Sequence, residues 1–518
     1  MKKIFTLGFL MFATGVAAQN SYSNAEITST SDVIGTARYV GMGGAMGALG
    51  ADISAISDNP ASIGLFRKSD VSLTAGALWP KDRSYKEGDK LTHGTFDQMG
   101  FVTSWKTMGS RMRYFNFAFN YQKKFNLNSG FYADNDALGD LSQADQLSSL
   151  SNSYYVDENI TGTAYNAYVT DKDELGYYNS WGAYGNQYAH WSTGSMQAYD
   201  INFSGNVLDR YYWGITIGCD NLDYDKYTTY TEFRDGDLTH AIQDYSLYND
   251  QHMSGFGVNF KLGTVIRPIE DNPLRIGVTV ETPTWYTLKS STWHSIDSKY
   301  DADGNYTDEK GVYFNHKSAD DSYIEYRLRT PWRARVSLGS TVENFFAWGL
   351  GYEYANYGKN HMFYTGGSKR TEDEAMNELT KGNFQGQHTF KMGFEGKPLD
   401  CLALRFGYNY VSRIYKDGAR LNQDIDSYAM DYSTSTAFMN LSDVNIITCG
   451  LGFKHKAFYA DLAYKYRRQT GSFYAFDDSF TRDPQFIQDN PGLANAVLDP
   501  VDVNLSRHTV TCTLGFKF

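Results

Sequence analysis

Hydrophobic and polar side chains take turns along this chain. Val510, Cys512, Leu514, Phe516 and Phe518 share one face of an extended strand. Thr509, Thr511, Thr513, Gly515 and Lys517 take the other, because successive side chains of a strand point to opposite sides. The split recurs upstream. Phe115, Phe117, Phe119 and Tyr121 oppose Asn116, Ala118, Asn120 and Gln122, and Phe346, Trp348, Leu350, Tyr352 and Tyr354 oppose Ala347, Gly349, Gly351 and Glu353. Leu402, Leu404, Phe406, Tyr408 and Tyr410 oppose Ala403, Arg405, Gly407 and Asn409; Phe458, Leu462, Tyr464 and Tyr466 oppose Tyr459, Asp461, Ala463 and Lys465. Aliphatic groups sit mid-strand and tyrosines toward an end, as a lipid-facing surface requires.

Runs of about nine or more such residues match the length of a bilayer-crossing strand. They occur at 69–79, 94–104, 112–122, 197–208, 211–219, 254–267, 274–286, 323–340, 344–355, 387–396, 401–411, 444–454, 457–467 and 507–518. The count is fourteen, and an even number is the rule for single-chain bacterial barrels. Short links such as Asp209-Arg210, 268–273, 341–343, 397–400 and 455–456 alternate with long ones at 123–196, 220–253, 287–322, 356–386, 412–443 and 468–506. Short periplasmic turns and long extracellular loops produce that parity. The predicted fold is all-β: a 14-stranded antiparallel transmembrane β-barrel over 69–518, with a plug ahead of it.

Composition agrees. There are 41 Tyr and 48 Gly against 10 Pro, and the mean hydropathy of −0.48 is too polar for helical spans. The net charge of −12 argues against nucleic acid, which wants basic patches. Met1 to Ala18 reads as a signal peptide: Lys2 and Lys3, an apolar stretch, then Val16-Ala17-Ala18. No Cys follows that site, so lipoprotein processing is not indicated. Cys219, Cys401, Cys449 and Cys512 lie far apart with no metal spacing and are read as lipid-facing or packed thiols, with paired disulfides in an oxidising compartment as the alternative.

Residues 19–68 do not alternate. They hold a small-residue segment, Gly41 to Gly50, and an Asn59-Pro60 turn, suited to close backbone packing inside a barrel. Gly-Met-Gly-Gly-Ala at 41–45, Ala-Asp-Ile-Ser-Ala at 51–55 and Asp-Asn-Pro-Ala-Ser-Ile-Gly at 58–64 together resemble the hatch signature of the FadL family. Those proteins are outer-membrane transporters of long-chain fatty acids and aromatic hydrocarbons. Thr282 to Tyr286 and Ala403 to Tyr408 also resemble family strands, while Ser62 departs from the usual Gly. The resemblance implies a hatch motif of Asp58, Asn59, Pro60, Ala61 and Gly64, with Asn59-Pro60-Ala61 anchoring it to the wall. It implies ligand contacts from Met42, Met46, Ile63, Leu65 and Phe66, a hatch that shifts on binding, and lateral release at a kink in the third strand. That kink usually needs glycine; 112–122 has none, and Gly109 lies just before it. The expected address is the Gram-negative outer membrane. Expected partners are a hydrophobic small molecule, outer-membrane lipid and lipopolysaccharide, with the protein a monomer that takes no cofactor.

The loops carry further candidates. Leu138, Leu141, Leu147 and Leu150 predict a short amphipathic helix, followed by Tyr154, Tyr155, Tyr177, Tyr178, Trp181, Tyr184, Tyr188 and Trp191. Thr371 and Glu374 form a capping-box pattern for a helix over 372–379. Asp301 to Glu309 spaces oxygen ligands like a calcium loop but lacks its glycine and final acid, so a solvated acidic turn is favoured. No catalytic or metal motif is found, and the chain is not read as an enzyme. Arg405, Glu353, Asp461, Lys465, Lys391 and Glu395 are read as cross-strand ion pairs filling the lumen. The alternative to a channel is an interaction or secretion-accessory barrel, adhesin-like, binding protein or glycan through its loops.

Overall fold

The structure, a computed structural model, describes residues 21–30, 32–80, 93–109, 111–136, 138–153, 158–180, 182–234, 242–270, 272–300, 313–318, 322–366, 369–423, 425, 427 and 434–518. The segments predicted as a signal peptide (1–18) and an acidic turn (301–309), with Tyr154, Tyr155 and Trp181, lie outside these.

Fourteen strands form one closed antiparallel barrel. They are β1 (Asp70–Pro80), β2 (His93–Lys106), β3 (Met112–Asn126, carried on by Ser129–Asn135), β4 (Gly185–Val207), β5 (Tyr211–Phe233), β6 (Ile242–Ile266) and β7 (Arg275–Glu281 and Trp285–Tyr300). Then come β8 (Ser322–Arg329 and Arg333–Val342), β9 (Phe346–Asn356), β10 (Gly386–Leu399), β11 (Leu402–Val411), β12 (Val444–His455), β13 (Phe458–Arg468) and β14 (Arg507–Lys517). Each pairs with its neighbours in order, and β14 closes on β1 from Asp70↔Lys517 to Pro80↔Arg507. The assigned faces hold. Leu73, Phe101, Ile217, Leu262, Val278, Leu350, Leu404, Leu462 and Leu514 are exposed on the outside, while Asn116, Asn120, Asn202, Thr216, Thr448 and Thr513 are buried inside.

Two strand readings need correction. β4, β5 and β6 run for 23, 23 and 25 residues, so much of 123–196 and 220–253 is strand rather than loop. Beyond the bilayer neither face meets lipid, and the hydrophobic alternation that marks a strand fades. Conversely, 274–286 and 323–340 are each interrupted, at Pro283 and Pro331, since proline cannot donate to a ladder. The two breaks are neighbours and bond each other: Thr284 N–H donates to Thr330 Oγ1 at 2.8 Å.

The predicted loop helix is α3 (Gln143–Asn152); α4 (Glu158–Asn166) follows it, and Leu138, Leu141, Leu147 and Leu150 are all buried. The later helix, α5, spans Glu374–Asn383, and its cap is Asp373, which accepts from Met376 N–H, rather than the Thr371–Glu374 pair. Within the leading segment lie helices α1 (Ser21–Ser29) and α2 (Ala37–Gly41) and 3₁₀ turns Ile53–Ser57 and Pro60–Leu65. Nearly every described residue from 33 to 64 is buried.

Candidate functional site

The Asn-Pro-Ala turn is built by its own side chains. Asn59 adopts an extended conformation, and its Oδ1 accepts from Ala61 N–H at 2.9 Å, starting the 3₁₀ turn with Pro60 in the first position. Its Nδ2 donates to Thr264 O of β6 at 3.0 Å. Asn202 of β4 donates to Pro60 O at 3.2 Å, and Asn116 of β3 donates to Ile63 O at 2.7 Å. Asp58 accepts from Tyr39 Oη at 2.9 Å and pairs with Lys391 of β10 at 2.7 Å.

Closer still is the backbone contact. A Cβ added at Gly349 would stand 2.1 Å from Ala45 O, one at Gly393 2.2 Å from Met42 O, and one at Gly407 2.2 Å from Gly43 N. At Gly214 it would meet Pro60 C at 2.3 Å, and at Gly263 Asn59 Oδ1 at 2.1 Å. Gly277, Gly339 and Gly450 face the segment less tightly, with an added Cβ 2.8 Å from Asn59 Nδ2, 3.0 Å from Leu49 Cγ and 3.3 Å from Gly41 Cα. Eight consecutive strands, β5 to β12, thus each present one glycine to the leading segment. On β1 to β4 most contacts run through longer side chains, though a Cβ added at Gly100 of β2 would stand 2.6 Å from Ile53 Cδ1, and Gly205 O of β4 lies 2.9 Å from where a Cβ on Gly64 would stand.

The lumen charges are only partly cross-strand pairs. Arg405 bonds Glu395 at 2.7 Å and Asp461 at 2.6 Å, and Arg335 bonds Glu353 at 2.8 Å, as the strand pattern predicts. Lys391 and Lys465 instead reach the leading segment, at Asp58 and at Asp32 (2.6 Å). Arg507 also meets Asp32, at 2.7 Å, and Arg38 meets Glu395 at 2.9 Å. Burial alone would raise the Asp32 carboxyl, but Lys465 and Arg507 hold it well below the usual carboxylate range.

The five apolar candidates are packing residues here. Met42 and Met46 are wholly buried with Val33, Tyr39, Leu49 and Ile446. Ile63 and Phe66 pack with Ile53, Ile56 and Val102, and Leu65 leans on Ala61, Tyr212 and Val265. None of them lines the three cavities formed around Tyr188, around Asp200 and Lys261, and around Arg38 and Asp461. The aromatic cavity lies elsewhere, toward the long connections. It is lined by Tyr22 and Glu26 of helix Ser21–Ser29, with Phe131, Tyr188, His190, Lys226, Phe438 and Phe473. Tyr188 and Phe473 stand 4.4 Å apart between ring centres, and Phe131 and Phe473 5.3 Å. Beneath it the lumen turns polar, around Asp58, Asp200, Lys261, Glu281, Arg335 and Lys391. Of the cavity residues the sequence singled out Tyr188 alone; Tyr22, Phe131 and Phe473 come from three distant segments and carry no local signal.

The end with the long connections is covered by one apolar cluster that includes Leu141, Leu147, Ile160, Tyr230, Tyr245 and Phe476. Glu232 fastens α3 to it, accepting from Ser142 Oγ at 2.6 Å and from Gln143 N–H at 2.8 Å. Asp145 of α3 is buried beside Ser180. Burial first, and the Glu232 charge after it, push its carboxyl up to about 7, against the hydrogen bond from Ser180.

The wall is not uniformly stitched. β2 and β3 pair from Lys106↔Tyr114 to Gln98↔Gln122. Beyond that rung, among the described residues, β2 pairs only with β1 and β3 only with β4. β3 shifts register between Lys123 and Phe125 and breaks at Leu127 and Asn128. Gly130 follows the break on β3 itself, and another glycine faces the break from the neighbouring strand. Gly194 of β4, at φ +132°, accepts from Leu127 N–H at 3.0 Å and donates to Asn128 Oδ1 at 2.8 Å.

On the outer face Asp223, Asp225 and His252 gather with their donor atoms within 4.8 Å of one another, a grouping made by register between β5 and β6. All four cysteines are free thiols, three of them exposed.

No family model matches the sequence, and no curated protein matches it significantly. Solved structures do. A FadL homologue of Pseudomonas aeruginosa aligns over 94% of this chain and 99% of its own at 12% identity, with a TM-score of 0.52. The toluene transporters TodX of Pseudomonas putida (12% identity, TM-score 0.49) and TbuX of Ralstonia pickettii (11%, 0.47) each align over 94% of this chain and 99% of theirs. With fourteen strands closed in sequence order and an Asn-Pro-Ala turn against the inner wall, the chain has the fold of the FadL-type outer-membrane proteins.

Proposed function

We propose that this protein is an outer-membrane channel for hydrophobic small molecules, with residues 19–68 as its plug. The observation that carries the reading is the aromatic cavity above a lumen filled with ion pairs. An apolar solute gains from stacking on Phe131, Tyr188 and Phe473. It gains nothing from the charged chamber below, where it would strip water from paired groups. The axial path therefore favours retention of the plug, and the unpaired stretch between β2 and β3 supports a sideways exit. The glycine contacts favour a plug whose 41–64 portion stays against the wall, with movement confined to the part ahead of it. Lys226 and Glu26, beside the rings, fit a ligand with one polar end. The relatives of known structure support transport as a class, being a FadL homologue and toluene transporters.

Mass spectrometry of small molecules carried through purification in detergent tests the proposal. Apolar compounds are expected on the wild-type protein and depleted in Phe131→Ala/Phe473→Ala. A folded barrel that carries none, and whose removal leaves uptake of apolar solutes unchanged, would refute it. A second reading has its own support: Tyr165, Tyr168, Tyr177 and Tyr184 are about half exposed on the covering loops, a surface suited to protein or glycan.

A further inference from the structure

The short turns carry a charge pattern opposite to that of the chain as a whole. From Trp105 to Arg113 there are three cations, Lys106, Arg111 and Arg113, and no acid, in a protein of net charge −12. All three are exposed, and none forms a side-chain bond to another described residue. The next turns continue the surface without a gap. Leu208 N–H donates to Arg111 O at 2.9 Å, and Arg267 N–H donates to Arg210 O at 2.9 Å. The rim from β2 to β7 is thus one stitched arc, and among the described residues seven cations (with Arg67 and Lys68) stand on it against Asp209 and Glu270.

Apolar side chains stand among these charges. Met108 is fully exposed, Leu208 48% and Ile269 56%. Leu208 is a costly choice. It and Asp209 form a two-residue turn with φ of +58° and +55°, where Asn-Gly is the relaxed solution and a leucine is strained. Nothing in the barrel interior gains from it. Lipid does not account for these tips either. The outward Trp105 and Tyr211 mark the aromatic edge of the lipid band, and the turns reach past it into water. Arginine and methionine around apolar tips are what the centre of a protein interface is made of.

We propose that this rim is the docking surface of an acidic periplasmic protein, with Met108 and Leu208 as apolar anchors and Lys106, Arg111 and Arg113 pairing with its carboxylates. The proposal rests on the outer-membrane orientation inferred above.

The test uses the full chain in its native outer membrane, with the photo-cross-linking residue benzoylphenylalanine at position 108. We expect a discrete adduct whose partner, by mass spectrometry, is a periplasmic protein of net negative charge. Its yield falls roughly tenfold or more with Lys106→Glu/Arg113→Glu, because charge complementarity steers association. The same probe at Phe345, on a turn across the barrel, gives no such adduct. Heat-modifiable gel mobility shows whether each variant is still a folded barrel. Adducts to phospholipid or peptidoglycan alone, no adduct, or a protein adduct indifferent to charge reversal would overturn the docking surface. Orientation is read separately from Met108→Cys, which an impermeant maleimide labels only after the outer membrane is opened. Labelling in intact cells defeats the orientation, and the channel reading with it; a missing adduct with correct orientation defeats the docking surface alone.

Discussion

Replacing Gly349 and Gly393 by alanine puts the seating of the proposed plug to a quantitative test. The added methyls would stand 2.1 Å from Ala45 O and 2.2 Å from Met42 O. Both obstacles are backbone atoms, which cannot swing aside as a long side chain does. An ordinary carbon–oxygen contact is about 3.3 Å, so the segment must withdraw by roughly 1 Å at each point. That movement stretches the Lys391–Asp58 pair, now 2.7 Å, and the Asn59–Thr264 bond, now 3.0 Å, past useful length. Overpacking costs about 1–3 kcal/mol per site, and each weakened hydrogen bond adds about 1 kcal/mol. A combined cost near 4 kcal/mol multiplies the unseated population about a thousandfold. The wall itself loses nothing, since Gly349 and Gly393 pair with each other within an intact ladder. Single-channel recording in planar bilayers should show frequent opening bursts in Gly349→Ala/Gly393→Ala. Gly396→Ala, whose methyl would meet nothing within 4 Å, should behave as wild type. A doubly substituted, folded barrel as quiet as wild type would show that the segment does not seal the lumen or is not seated as described.

Other perturbations probe different layers. Leu514→Arg, on the lipid face, should cost about 2–4 kcal/mol near mid-bilayer and hinder assembly. Thr513→Arg, on the lumen side, spares assembly, yet it is not innocuous as the alternation alone predicts. Thr513 Oγ1 accepts from Ala37 N–H at 2.7 Å, so the plug should loosen; barrel yield and conductance separate the two effects. Asp32→Ala strands Lys465 and Arg507 without a counter-charge, and a loss of about 3–5 kcal/mol in denaturant resistance is expected. The Asp145 carboxyl binds its proton more tightly folded than unfolded, so its contribution is intact below about pH 4 and is lost as pH rises toward 7. That is at most ~4 kcal/mol, from a shift of 3.8 to about 7. Hydrogen exchange over 143–152 should therefore quicken between those values, and Asp145→Asn should abolish the dependence.

Much of the wall was legible in the sequence because lipid on one side and water on the other write period two into the chain. Each of the fourteen predicted runs became a barrel strand, and the order followed from loop parity. Where lipid ends, the code ends: Tyr224, Tyr230 and Tyr245 are buried in the upper parts of β5 and β6, amid Thr, Asp and Asn that read as loop. Helix Ser21–Ser29 went unread for a related reason. It is enclosed on several sides by both apolar and polar partners, so its sequence shows no single oily stripe. The Asn-Pro-Ala turn was legible through its own chemistry. The glycines that receive the leading segment, spread from 214 to 450, were not, since each looks like an ordinary small residue in a strand. The partners of Lys391 and Lys465 escaped notice because strand alternation relates wall residues to one another and is silent about what the wall encloses.

The height of the barrel has a consequence of its own. Crossing a bilayer takes about ten residues per strand, whereas β4, β5 and β6 use 23, 23 and 25. The surplus, at about 3.3 Å per residue and a tilt near 40°, lifts the rim roughly 30 Å above the lipid. For the channel proposed above, a collar that tall holds the mouth well clear of the lipid, so a solute is met before it reaches the bilayer. Shortening β4 to β6 in step would leave the bilayer-spanning part of the wall as it is and bring that mouth down toward the lipid.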